Sequence, residues 1–186
     1  MRPVKEKKCK QCGEPFLPFT TMANVCSIPC AIKFSDAKRE KQRKTETRKM
    51  RREFNEKDKT YQLKRAQEAF NAFIRERDKG QPCISCGTTD PALRYDAGHY
   101  RTTGAHPELR FEEDNCFRQC HYNCNINRSG NIVDYRIGLL ARIGAERLEW
   151  LEGNHEPKNY TLADIIEIKL RYRAKAKELR LIAEAI

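Results

Sequence analysis

No run of apolar residues in this chain of 186 approaches the ~18 in a row that a membrane-crossing helix needs. The opening Met1-Arg2-Pro3-Val4-Lys5-Glu6-Lys7-Lys8 lacks the apolar stretch of a secretory signal. Neither a membrane protein nor a secreted one is expected. The hydrophobic fraction is only 39%, against 34% charged residues, too little for one large apolar core. The length suits one domain, or one compact domain with small appended modules. Excess charge is missing from most of the chain as well. The last 134 residues hold 22 basic and 21 acidic side chains, whereas the first 52 hold 15 and 5. The formal charge of +11 is thus a property of the N-terminal end.

What is plentiful is cysteine. Cys9/Cys12, Cys26/Cys30, Cys83/Cys86 and Cys120/Cys124 form four close pairs, with Cys116 left over. Four pairs and an odd thiol, without an export signal, point to metal rather than disulfides. Two structural zinc ions, each on four cysteines, account for eight of the nine; scattered buried thiols would not pair this way. Cys116 is expected to be a buried thiol.

The run from Lys33 to Lys59 has no Gly or Pro, and Phe34, Met50 and Phe54 are its only large apolar residues. Its helix formers predict a solvated helix with no face to bury. Lys38-Arg39, Arg43-Lys44, Arg48-Lys49 and Arg51-Arg52 recur every three to five residues, roughly along one helical side. Such charge predicts salt-sensitive, sequence-independent binding to a polyanion through counterion release. A merely solubilising linker is the alternative.

Four segments follow. Residues 1–32 form an N-terminal four-cysteine zinc module that could not fold without its metal. Residues 33–59 are the basic helical connector. Residues 60–130 hold a helix with Leu63, Ala66, Phe70, Phe73 and Ile74 at helical spacing, ended by Gly80 and Pro82, then a Pro- and Gly-bearing stretch. Short strands are expected around Leu93–Tyr95 and Leu109–Phe111. Residues 131–186 read as helical, with Thr161-x-x-Asp164 resembling a capping box. Ile165, Ile168, Tyr172, Leu179 and Ile182 then form one apolar stripe. The fold class is α+β and helix-rich.

Cys83-Ile84-Ser85-Cys86 and Cys120-His121-Tyr122-Asn123-Cys124 bracket Asp96-Ala97-Gly98-His99-Tyr100, with Asn115 before the second pair and Asn125 directly after it. This arrangement resembles an HNH endonuclease site, a zinc-stapled ββα-metal core. Closer still, Asp96-Ala97-Gly98-His99-Tyr100-Arg101-Thr102-Thr103, Pro107-x-Leu109-Arg110-Phe111, Gln119-Cys120, Cys124-Asn125 and Ser129-Gly130-Asn131 resemble the NinG (Rap) recombination proteins of lambda-type phages. So does Ala72-Phe73-Ile74-Arg75-Glu76-Arg77-Asp78 leading into Pro82-Cys83-Ile84-Ser85-Cys86-Gly87-Thr88.

The resemblance implies a metal-dependent, structure-specific endonuclease acting on branched recombination intermediates (Holliday junctions, D-loops) in the cytoplasm of the bacterial host. His99 would be the general base and Asn115 would orient its imidazole. Asn125, with Asp96, would ligate catalytic Mg²⁺ or Mn²⁺. Arg101 and Arg110 would join the basic run in holding DNA. Branched DNA is the expected partner, and a homodimer and host or phage recombination proteins are left open. His121 could replace a zinc ligand or ligate the second metal, while His106 and His155 read as loop residues.

Two departures stand out. The second Cys pair has three intervening residues where two are usual, a spacing zinc tolerates. Gly98 stands where a metal-ligating acid usually precedes the base His, and Asp96 lies three residues back. Three residues of strand span ~10 Å, so a bend at Ala97-Gly98 would be required for Asp96 to share a phosphate with His99. The rival reading is a non-catalytic zinc-dependent DNA- or RNA-binding protein with a decayed site.

Overall fold

The computed structural model describes residues 5–185. The chain forms two compact units, Met1–Glu56 and Lys57–Ile186.

In the first unit, strands β1 (Lys7–Lys8) and β2 (Pro15–Phe16) pair antiparallel, Lys7 opposite Phe16. The second Cys pair then opens helix α1 (Ile28–Lys57). Ser27 caps it, its hydroxyl accepting from Cys30 N at 3.4 Å. The boundary expected after residue 32 therefore lies inside a continuous helix. No residue of α1 is buried, so it rests on propensity and on exposed pairs such as Arg43–Glu40 (2.7 Å) and Arg52–Glu56 (3.0 Å), each worth a few tenths of a kcal/mol. At 100° per residue the four basic pairs wind around the whole circumference. The expected single basic side is not what a regular helix produces from these spacings.

The second unit is built on α2 (Lys59–Arg77) and α5 (Leu162–Glu184), packed along one another. Asp58 caps α2 by accepting from Tyr61 N. Thr161 and Asp164 make both bonds of a capping box on α5. Ala66, Phe70, Phe73 and Ile74 meet Ile165, Ile168 and Tyr172 in a core that Phe111 and Tyr160 complete. The stripe on α5 ends early, because Ile182 is 52% exposed.

A hairpin lies against these helices. Strands β3 (Tyr95–His99) and β4 (Cys116–Cys120) pair antiparallel with an unbroken register, from Tyr95 opposite Cys120 to His99 opposite Cys116. The strand expected around Leu109–Phe111 is instead a 3-10 turn, Pro107–Leu109, in the connecting loop. The true partner strand reads Cys-Phe-Arg-Gln-Cys and is buried on both faces, so it lacks the alternation that marks a half-buried strand. Helices α3 (Ile132–Ile143) and α4 (Ala145–Glu152), hinged at Gly144, build a second core of Tyr135, Leu139, Leu148 and Leu151 with Ile84, Tyr100, Leu109 and Phe117. Buried Tyr135 locks the hairpin to α3: its hydroxyl donates to Gly98 O (2.8 Å) and accepts from Phe117 N (3.0 Å). Among the described residues no helix is long and apolar enough to cross a membrane.

Candidate active site and metal centres

Both Cys tetrads assemble as their spacing predicts. Within each, the Sγ atoms of Cys9, Cys12, Cys26 and Cys30, or of Cys83, Cys86, Cys120 and Cys124, all lie within 4.8 Å of one another. Cys12–Cys26, Cys26–Cys30 and Cys83–Cys120 are 3.6 Å apart, and Cys86–Cys120 is 3.7 Å. Those separations are far too long for a disulfide, and all nine cysteines are free thiols. A tetrahedron with Zn–S bonds of ~2.3 Å has edges of ~3.8 Å, so both tetrads could hold zinc.

Backbone N–H groups add to the fit. Cys26 N points at Cys9 Sγ (3.4 Å) and Cys120 N at Cys83 Sγ (3.3 Å). Burial pushes the Cys9 thiol up, but the N–H groups of Cys12, Gln11 and Cys26 outweigh it and bring it down to about 6. The same balance, with burial opposed by N–H groups of Cys86, Cys120 and Ser85, lowers Cys83. Each tetrad thus favours a thiolate at one position, Cys9 or Cys83, the form that binds metal, while neighbouring thiols raise Cys26 and burial raises Cys120 and Cys124.

The extra residue in the second pair is absorbed by a π-helical turn, His121–Ile126. Such turns accommodate one residue too many for an α-helix. This one delivers Cys124 to the tetrad and sets Asn125 and His121 beside the hairpin. Asn125 Nδ2 donates to Asp96 Oδ2 at 3.0 Å, and His121 Nδ1 meets the same oxygen. Arg94 Nε lies 3.6 Å from Asp96 Oδ1. His121 therefore replaces no zinc ligand; it belongs to a cluster with Asp96 and Asn125. The sequence showed each of these residues but not their meeting, which depends on the ladder and the π-turn together. Arg94 had no signal beyond its place two residues before Asp96.

His99 lies elsewhere. With the ladder unbroken, no bend occurs at Ala97-Gly98, and residues three apart on a strand face opposite sides. Asp96 faces the π-turn. His99 faces α2, its ring 5.7 Å from that of Phe70. Its Nε2 is 3.1 Å from Arg110 O and its Nδ1 is 3.5 Å from Cys116 Sγ. Burial lowers its pKa to about 4; the Arg110 charge adds to this, against the pull of the Arg110 carbonyl. Both ring nitrogens face protein partners, so this geometry does not poise His99 to take a proton from water.

Asn115 does not orient that imidazole. It is fully buried and its amide is spent on the loop: Oδ1 accepts from Arg101 N (2.8 Å), and Nδ2 donates to Arg101 O (2.9 Å) and Leu109 O (3.2 Å). Arg110 is similarly committed, to Gln67 Oε1 (3.3 Å) and Thr103 O (3.0 Å). Among the described residues, the buried Nε of Arg101 has no hydrogen-bond partner. Cys116 is the buried thiol expected, 0% exposed.

Gly98 explains the missing acid. A Cβ there would meet Gln119 Oε1 at 2.4 Å. Gln119 is itself 1% exposed and held by Ser85 Oγ (2.7 Å) and Gly130 O. No carboxylate fits at 98, and the acid on that same face is Asp96, two residues earlier.

The family described as "Bacteriophage Lambda NinG protein" matches residues 1–181. The chain belongs to the NinG family. It is 42% identical to protein ninG of Escherichia phage lambda over 94% of this chain and 93% of that one. It is 41% identical to protein ninG of Salmonella phage P22 over 94% of each. Over 67% of this chain and 61% of the relative, identity to protein ninG of Escherichia phage 933W reaches 51%. No solved structure matches. Within this NinG chain, both members of each of the four basic pairs on α1 are exposed. Lys38, Arg39, Arg48 and Arg51 make no ion pair among the described residues.

Proposed function

We propose that the chain is a metal-dependent endonuclease acting on branched DNA in phage recombination, working in the bacterial cytoplasm. The observation that carries this reading is the meeting of Asp96, Asn125 and His121 on one face of a hairpin beside a four-cysteine cluster. Asp96 offers carboxylate oxygens and Asn125 an amide oxygen, donors suited to a hard cation. A Mg²⁺ or Mn²⁺ ion held there would stabilise charge on the scissile phosphate and lower the pKa of a bound water.

The residues of the chain do the rest. Asp96 is fixed by the ladder and by Asn125 and His121, so its carboxylate is positioned in advance. The second tetrad pins both ends of the constellation, through Cys83/Cys86 before the hairpin and Cys120/Cys124 around the π-turn. His99 could act as base only after its ring leaves the Arg110 carbonyl. Exposed cations along α1 supply affinity for the phosphate backbone that does not depend on sequence.

The occupied nitrogens and lowered pKa of His99 favour a second reading, a zinc-dependent nucleic-acid-binding protein that does not cut. Purified protein on junction, D-loop and duplex substrates separates the two. A nuclease nicks branched DNA when Mg²⁺ or Mn²⁺ is added to metal-free buffer; a binder shifts the same substrates and leaves them whole.

A further inference from the structure

The first tetrad carries an apolar tip that folding does not use. Between β2 and Cys26 the chain exposes Leu17 (70%), Phe19 (97%) and Met22 (84%) to solvent. The tip is held rather than loose. Ala23 N closes a turn onto Thr20 O (3.1 Å), Lys10 N bonds Asn24 O (2.9 Å), and Lys7 Nζ caps the carbonyls of Thr21 and Ala23. Three exposed large apolar side chains close together in sequence, on a loop held by hydrogen bonds, point to a binding surface.

Charge says what binds. The tip shares its knuckle with exposed Lys8 and Lys10 and runs directly into α1, within the part of the chain holding 15 basic against 5 acidic residues. The ligand must be anionic and also offer flat apolar faces at once. Nucleic acid whose bases are unstacked does both, presenting phosphates beside open base faces.

We propose that Leu17, Phe19 and Met22 form a zinc-stapled wedge that enters the open base step at a DNA branch point. Phe19 stacks on an exposed base while Lys8, Lys10 and the cations of α1 hold the flanking phosphates. Because the tip is already ordered, insertion costs it little conformational freedom. Duplex DNA, fully stacked, binds only through charge. This inference rests on the DNA-binding part of the reading above and adds the source of branch preference.

The test uses the full chain on a four-way junction with 2-aminopurine at the branch and on a duplex of equal length. Wild type should brighten the 2-aminopurine as its base is unstacked. Phe19→Ala should bind the junction roughly tenfold more weakly, the cost of removing one base-stacking side chain, and lose the fluorescence rise. Its duplex affinity should stay unchanged, and Phe19→Trp should retain both junction effects. Zinc content equal to wild type shows that the knuckle still folds. Wild-type junction binding by Phe19→Ala, or an equal loss on duplex, overturns the wedge. So does Phe19-dependent sedimentation with phosphatidylserine vesicles, which would make the tip a membrane anchor. If wild type binds neither DNA at low salt, the underlying DNA-binding reading fails instead.

Discussion

Asp96 and His99 stand on one strand and face opposite sides of it. Asp96 meets Asn125 and His121 on the π-turn, and His99 lies against Phe70 on α2 with Arg110 O on its Nε2. The register leaves no room for a compromise, because all five residue pairs of the hairpin are formed. The two residues therefore serve different environments, Asp96 a polar one beside a four-cysteine cluster and His99 a partly buried one against α2.

The interior imidazole makes stability depend on pH. Folding lowers the His99 pKa from 6.5 to about 4, so as pH drops the unfolded chain takes up this proton first. Its contribution is complete above 6.5 and is lost between 6.5 and about 4, ~3 kcal/mol over the window. Urea titrations of wild type and His99→Gln from about pH 3.5 to 7.5, spanning that window, should show the stability gap narrowing as pH falls. A constant gap would mean that His99 titrates like an exposed histidine. The comparison cancels proton uptake by the cysteine ligands, which both proteins share.

Gly98→Ala should cost ~1–3 kcal/mol by overpacking. The new methyl would meet Gln119 Oε1 at 2.4 Å and Gln119 Cβ at 3.1 Å, and Gln119 is buried and hydrogen-bonded in place. Denaturant midpoints check this. A neutral outcome would show that Gln119 is free to move, and would weaken the explanation of why no acid stands at 98.

Metal analysis of protein purified without chelator should find two zinc ions per chain, one for each tetrad. Cys26→Ser should lose one and weaken DNA binding while leaving the second unit folded. Cys86→Ser should lose the other and unfold the hairpin. The opposite pattern would mean that the tetrads support different parts of the chain than their positions indicate.

Replacing Arg48, Lys49, Arg51 and Arg52 with Gln should weaken binding to every DNA shape alike. The slope of log affinity against log salt should fall by about 3 to 4, one counterion for each phosphate no longer neutralised. A loss confined to branched substrates would show that α1 reads structure, contrary to its all-round distribution of charge.

Much of this was legible in sequence because the signals are local. Cysteine spacing marked both tetrads, Thr161 and Asp164 marked the start of α5, and the absence of apolar residues marked α1 as solvated. What stayed hidden depends on long-range pairing. Cys116–Cys120 carries no alternation because both its faces are buried, so the sequence points to Leu109–Phe111 for the second strand. The cluster of Asp96, His121 and Asn125 needs a strand register and a π-turn, and neither leaves a mark within a short window. Asn115 and Arg110 carry the right donors for the site but spend them on the loop, and only the fold decides that.

The most direct test of the account is the single-turnover rate of junction cleavage by Asp96→Asn with Mn²⁺ present. The substitution keeps the side chain's shape and removes the charge that a hard cation needs, and a cation's role in such a reaction is worth several kcal/mol. With zinc content unchanged, the rate should fall by about 100-fold or more. An Asp96→Asn protein that cuts at the wild-type rate would show that the cluster is not the catalytic centre.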